Sequence, residues 1–313
     1  MDNPRSVTQL ILSVATLILM PCAAFAQPSQ TFVSAKNGVD GNPCTLTLPC
    51  RSLASAHSLV AAGGRILIVD AGDYAEVTIT KSVSIEAAPG VAAVVKNPAI
   101  SSLITINAGS TDKVFLQGLH FKGSSSTNLR AVLYSSAAIV SVSNCSMEGF
   151  SSEGIRAQAS GHLTIAQTTV RNNGTGVALS PAASGTLTVA IESSLIEKSN
   201  FNGINASGAA NAILRLTLRD TNLAHNVGAG LRTIANPTSS SVECVVENSV
   251  SFGNGVGLLA ERDGTVIRVS TSTIVGNGLG LQITNLGQVF SRGNNTLEGN
   301  TNNGTFSELY VTQ

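Results

Sequence analysis

The side chains able to do chemistry are few and widely spread. Asp40, Asp70, Asp73, Asp112, Asp220 and Asp263 are scattered over different units of the repeat described below, and no Asp-Asp pair occurs. Glycoside hydrolysis needs paired carboxylates. Calcium-assisted elimination needs an acidic cluster and a base to take a proton. The histidines His57, His120, His162 and His225 fall at unrelated places in the repeat described below and make no metal set. Cys145 and Cys244 have no histidine nearby to activate a thiolate. What remains is a recurring position that carries Arg156, Asn205, Arg232 and Gln282, with the charged run Glu261-Arg262-Asp263 just beyond it. Guanidinium and amide groups of this kind can hold the carboxylates and hydroxyls of a polymer.

The elements that position these residues are written in the composition. The chain has 313 residues, with 18 Lys+Arg against 18 Asp+Glu, 12% charged residues, 4% aromatic residues and no Trp. Balanced, sparse charge excludes a nucleic-acid partner held by phosphate neutralisation. The 43% hydrophobic content excludes a disordered chain. Abundant Val, Ile and Thr with Gly, Asn and Ser indicate an all-β protein. With no Trp, and Tyr74, Tyr134 and Tyr310 the only tyrosines, stacking platforms for neutral sugars are scarce.

Residues 1–26 read as a secretory signal: Arg5 in a polar start, an apolar run from Leu10 to Met20, and an A-x-A site at Ala24-Phe25-Ala26. The run is too short for a membrane span of roughly 20 apolar residues. The mature chain is thus expected to be exported, to the periplasm or the exterior. An oxidising compartment permits disulfides, and Cys44 and Cys50, which flank a short Thr/Leu/Pro loop, are expected to bridge.

A repeat runs through the rest. Ser124, Phe150, Asn173, Ser199, Asn226, Asn254, Asn277 and Asn300 recur at spacings of 26, 23, 26, 27, 28, 23 and 23 residues. Ten residues before each stand Val114, Val140, Leu163, Val189, Leu216, Cys244, Ile267 and Phe290. Eight before stand Leu116, Val142, Ile165, Ile191, Leu218, Val246 and Val269, with Arg292 as the break. Three before stand Phe121, Met147, Val170, Ile196, Leu223, Ser251, Ile274 and Leu297. The apolar positions lie two apart, the strand period, and Asn/Gly pairs between them make tight corners. A unit of about 25 residues cannot bury its apolar face alone, but stacked copies bury a continuous core. The expected fold is a right-handed parallel β-helix over residues 65–313, a solenoid of about ten coils and on the order of 50 Å long. Residues 27–64 form an N-terminal segment that carries the Cys44–Cys50 loop. Its stretch Arg51–Gly64, with Leu53, Ala56 and Val60 at helical spacing, is expected to form a helix capping the open end.

Stacking makes ladders of columns. Cys145 and Cys244 lie four coils apart, about 19 Å, beyond the roughly 7 Å a disulfide tolerates, so both are expected as buried free thiols. The column Gly118, Asn144, Gln167, Ser193, Asp220, Asn248, Thr271 and Asn294, with the Asn anchors, predicts amide ladders at the corners. Lys122, Glu148, Arg171 and Glu197 alternate in sign, as do Glu192, Arg219 and Glu247, which predicts surface pairing.

With Phe32-Val33-Ser34, Pro43-Cys44-Thr45 and Pro49-Cys50-Arg51 at its start, the chain resembles secreted right-handed β-helix proteins of the pectin-lyase-like superfamily. The resemblance carries the fold and not a chemistry. Gly72-Asp73-Tyr74-Ala75-Glu76 is similar to the G-x-Y-x-E element of pectin methylesterases, but the aspartate pair, arginine and glutamine settings of those enzymes are missing, as are the Asn-Thr-Asp, His-Gly and Arg-x-Lys elements of polygalacturonases. The leading expectation is an exported, non-catalytic β-helix protein that uses no cofactor or metal and meets polysaccharide or envelope material along its surface. Two other readings remain open. One is a polysaccharide lyase or esterase with an unfamiliar site on the Arg156/Arg232 face. The other is a structural or adhesive module that oligomerises through its last coil near Phe306, Leu309 and Val311.

Overall fold

Residues two apart in the repeat point the same way along short strands. The computed structural model describes residues 27–97, 100–124, 129–236 and 239–309. Within them thirty-one strands and one helix wind as coils. The strands form three parallel sheets of twelve, ten and nine members, in which neighbours come from successive coils. The third sheet limits the stack to nine complete coils, slightly fewer than the sequence led us to expect. Crossovers between parallel strands are right-handed in nearly all cases, and the winding gives a parallel β-helix. The predicted signal over 1–26 lies outside the described residues, as does Val311. No helix among the described residues is long and apolar enough to cross a membrane.

The predicted columns stand in register. In the first sheet Val114, Val140, Leu163, Val189, Leu216, Cys244 and Ile267 pair in turn, and all are buried. In the second sheet the same register runs from Phe121 to Leu297, buried as far as Ile274, with Leu297 partly buried. The last coil corrects the reading: Ile267 pairs with Val289, and Phe290 faces outward beside Arg268. An extra residue at the following corner, Arg292-Gly293, displaces the pattern by one, so Ser291 rather than Arg292 pairs with Val269. A one-residue slip exchanges the two faces of a strand.

The corner column also differs from expectation. Asn144, Gln167, Ser193, Asp220, Asn248 and Thr271 all have φ between 47° and 52°, a left-handed backbone that turns the chain from the first sheet into the second. Their side chains link only locally, Asn248 to Asp220 and Asn294 to Thr271. Longer ladders lie further on, the first of them broken between Ser194 and Thr221. One is of hydroxyls: Thr168 Oγ1 accepts from Cys145 N–H, Ser194 Oγ from Thr168 N–H, Ser249 Oγ from Thr221 N–H and Ser272 Oγ from Ser249 N–H, at 3.2–3.3 Å. The other is the predicted asparagine ladder, where Asn226, Asn254, Asn277 and Asn300 pass hydrogen bonds from coil to coil at 2.9–3.0 Å. Ser199 interrupts it, and its buried hydroxyl has no partner.

After the asparagine ladder comes a glycine column, Gly154, Gly176, Gly203, Gly230, Gly257 and Gly280, where coils approach closely. A Cβ on Gly203 would stand 2.7 Å from the Gly230 carbonyl oxygen and 2.8 Å from Asn226 Nδ2. These glycines bring the chain tightly into the third sheet.

At the start of the stack, helix α1 (Leu53–Leu59) is capped by Ser52, whose hydroxyl accepts from Ser55 N–H. It is shorter than the predicted stretch because Val60 is already extended, with ψ at 142°, and Gly63, with φ at 77°, then turns the chain into strand Gly64–Ile68. Leu53, Ala56 and Val60 are fully buried. Strand Gln30–Val33 lies under Gly64–Ile68 as the outermost member of the first sheet, and Cys44 is bridged to Cys50. At the other end Phe306 packs on the core while Leu309 is exposed. Of the alternating charges, Glu148–Arg171 and Arg219–Glu247 form ion pairs at 2.8 Å. The other opposed positions form none among the described residues.

Candidate functional site

The third sheet places the recurring arginine position in a single outward row. Register carries Leu133 to Arg156, then Ala178, Asn205, Arg232, Leu259 and Gln282. Inward neighbours such as Ile155, Val177, Ile204 and Leu231 are buried, so packing fixes the backbone beneath the row. Arg156 and Arg232 are three coils apart, about 14 Å. Ala178 lies between them, small and nearly buried, so the row is low at that point.

Two stations of charge stand on this face. At the first, Glu153 is gripped by two arginines: Arg130 Nε donates to Oε2 at 3.0 Å and Arg156 Nη1 to Oε1 at 2.9 Å. Arg130 and Glu153 are directly opposed on neighbouring coils. Arg156 Nε also reaches Gln158 Oε1. Burial pushes the Glu153 carboxyl up, but hydrogen bonds from Ser152, Arg130 and Arg156 outweigh it and hold the group below the usual carboxylate range. Glu153 is therefore ionised at neutral pH. At the second station Arg232 Nε pairs with Glu261 Oε2, and Arg232 Nη1 donates to Asn205 Oδ1 at 3.1 Å. Gln282 ends the row.

Sequence reasoning missed Arg130 and Glu153. They begin their strands, one position ahead of the glycine column, where the repeat shows no constant residue type. The signal available was the spacing of Glu153 three residues before Arg156.

The predicted run Glu261-Arg262-Asp263 is divided by the structure. Glu261 belongs to the face. Arg262, at φ 75°, turns the corner, and Asp263 Oδ1 accepts from Gly264 N–H at 2.9 Å. Both line a cavity of about 520 Å³ with Asn236, Ser239 and Ser240, away from the row. The histidines are dispersed: His57 is buried in the cap, His120 bonds Ser146 at 2.8 Å, and His225 stands edge-on to Phe252. Among the described residues no group of three His, Cys, Asp or Glu could hold a metal ion. The Gly72–Glu76 element serves the fold, since buried Tyr74 donates to Asp70 at 2.6 Å and Glu76 accepts from Asn97.

Residues 75–217 match the family described as "Right handed beta helix region". No curated protein matches the chain. Among solved structures, pectate lyase Pel9A is similar at TM-score 0.53 and 17% identity, over 84% of this chain and 67% of that one. XylC in complex with xylose follows at 0.52 and 9%, over 83% and 71%. The Dettilon tailspike protein stands at 0.51 and 12%, over 89% and 68%. At these identities the likeness concerns the fold. The chain has the right-handed parallel β-helix of the pectin-lyase-like fold.

Proposed function

We propose that this protein is exported and binds polysaccharide along the outward face of its third sheet, without turning it over. The observation that carries the reading is the pair of arginine–carboxylate stations set three coils apart on one rigid face. A guanidinium fixed by a carboxylate keeps its remaining N–H donors in one plane, pre-organised for hydroxyls and carboxylates of a sugar. Sheet-borne side chains at a fixed rise suit an extended polymer. Export is supported by the Cys44–Cys50 bridge, which belongs to oxidising compartments, and by the apolar run and A-x-A site over residues 1–26. Pectate lyase, a xylose complex and a tailspike among structures of like fold are in keeping with a glycan partner.

Absence of turnover is argued from the carboxylates. Glu153 is held ionised by two arginines and has no proton to give a leaving oxygen. Glu261 is engaged by Arg232. The test is binding of the mature chain to a panel of uronic-acid and neutral polysaccharides, with product assayed at the absorbance of unsaturated uronates. Binding that weakens in Arg156→Ala and Arg232→Ala, with no product formed, supports the reading. Product formation would replace it with a lyase, and no binding to any glycan would end it.

A further inference from the structure

The two stations differ in charge. The nine strands of the third sheet carry five ionised side chains between them: Arg130, Glu153 and Arg156 at the first station, Arg232 and Glu261 at the second. The first station therefore has a surplus of one positive charge and the second is neutral. At the first, one carboxylate is shared by two guanidiniums, so Arg130 spends only its Nε on Glu153. Arg130 is largely covered, with 17% of its side chain exposed, which shields its charge less from a ligand than a surface arginine's would be. At the second, Glu261 cancels Arg232, and Asn205 and Gln282 add neutral donors and acceptors.

We infer that the face takes a glycan in which charged and uncharged sugars both occur, with a carboxylate-bearing sugar seated at Arg130 and Arg156 and an uncharged one at Asn205, Arg232 and Gln282. This rests on the glycan-binding reading above and adds the polymer's charge pattern and its placement. A chain with a carboxylate on every ring satisfies the first station but sets an anion against Glu261 at the second. A wholly neutral chain leaves the surplus charge at the first station unused.

The experiment compares three polymers at low salt: polygalacturonate, charged on every ring; hyaluronan, charged on alternate rings; and neutral dextran. Hyaluronan is expected to bind tightest. Arg130→Gln is expected to weaken it about tenfold, the scale of one charge-assisted hydrogen bond, and to flatten its salt dependence. Arg156→Gln, at a more exposed position, gives the same direction should Arg130→Gln fold poorly by circular dichroism. Glu261→Gln removes the repulsion and is expected to bring polygalacturonate up to the affinity of hyaluronan. If glycans bind but polygalacturonate or dextran matches hyaluronan in the wild type, or Glu261→Gln leaves the ranking unchanged, the charge-pattern inference is overturned while glycan binding stands. If none of the broader glycan panel binds either, both fall.

Discussion

Asn277 Oδ1 accepts from both the backbone N–H and the side-chain Nδ2 of Asn254, one coil earlier, at 2.9 and 3.0 Å. The same Asn254 amide reaches the Leu223 carbonyl at 2.8 Å. Asn254 thus links polar groups on three coils inside a buried wall. Asn254→Ala leaves several of them unpaired and is expected to cost about 1–3 kcal/mol, read as a lower urea midpoint. Val227→Ala, on an exposed neighbour, should stay within about 0.5 kcal/mol.

The glycine column offers a steric test. Gly203→Ala puts a methyl group against the Gly230 carbonyl, which belongs to a hydrogen-bonded coil and cannot yield freely. Overpacking of this kind costs about 1–3 kcal/mol. Gly41→Ala, where a methyl meets open space, is the comparison, and equal thermal midpoints for the two variants would contradict the column's role.

Acid should loosen the capped end first. His57 Nε2 accepts the Thr80 N–H at 3.1 Å, which assigns the proton to Nδ1, an atom with no partner. Burial, and then the Lys81 charge, hold the imidazole below its ordinary value of 6.5. The unfolded chain therefore takes up this proton before the folded one does. Stability is complete above about pH 6.5 and falls as pH drops toward the folded value. Urea unfolding between about pH 7 and pH 5 should show this slope in the wild type and lose that component in His57→Gln.

Glu153 predicts a second, lower window. Its folded pKa lies below 4.5, so its contribution is present above that pH and declines below it. Glu153→Ala strands Arg130 half-buried beside a like charge. Breaking a buried pair costs about 3–5 kcal/mol, and access of Arg156 to water reduces this to about 2 kcal/mol. A variant with wild-type stability at pH 7 would show that the clamp is electrostatically idle.

Two thiols should be silent until the chain unfolds. Cys145 and Cys244 are free and buried, and burial raises the Cys145 thiol to about 11, a value backbone hydrogen bonds lower only in part. In the chain from Gln27 onward, which lacks Cys22, an aromatic disulfide reagent at pH 8 should titrate none in the native state and both in denaturant.

The core was legible in the sequence because strand alternation and a near-constant repeat leave one stacking register that buries every aliphatic column. Legibility ended where the period changed: Phe290 was placed inward because the count from Asn300 ran across the extra residue at Arg292-Gly293. The face was legible as a row, since Arg156 and Arg232 follow the glycine column at a constant offset. Its chemistry was not. Arg130 and Glu153 meet only through the pairing of two coils, and nothing in a single strand states that Glu153 is shared. Arg262 and Asp263 follow Glu261 in sequence, but a left-handed residue carries them round the corner.

Ser199 gives the solenoid a seam. Its hydroxyl is too short to bridge back to Asn173, so the amide chain that welds later coils together starts afresh at Asn226. In a stack whose cohesion is a sum of nearest-neighbour terms, the interface between the Asn173 and Ser199 rungs lacks one side-chain term while all three of its sheets stay paired. Warmed, the rod is expected to loosen there before it does between the asparagine rungs, along a line that runs between the Arg130–Arg156 station and the Arg232–Glu261 station.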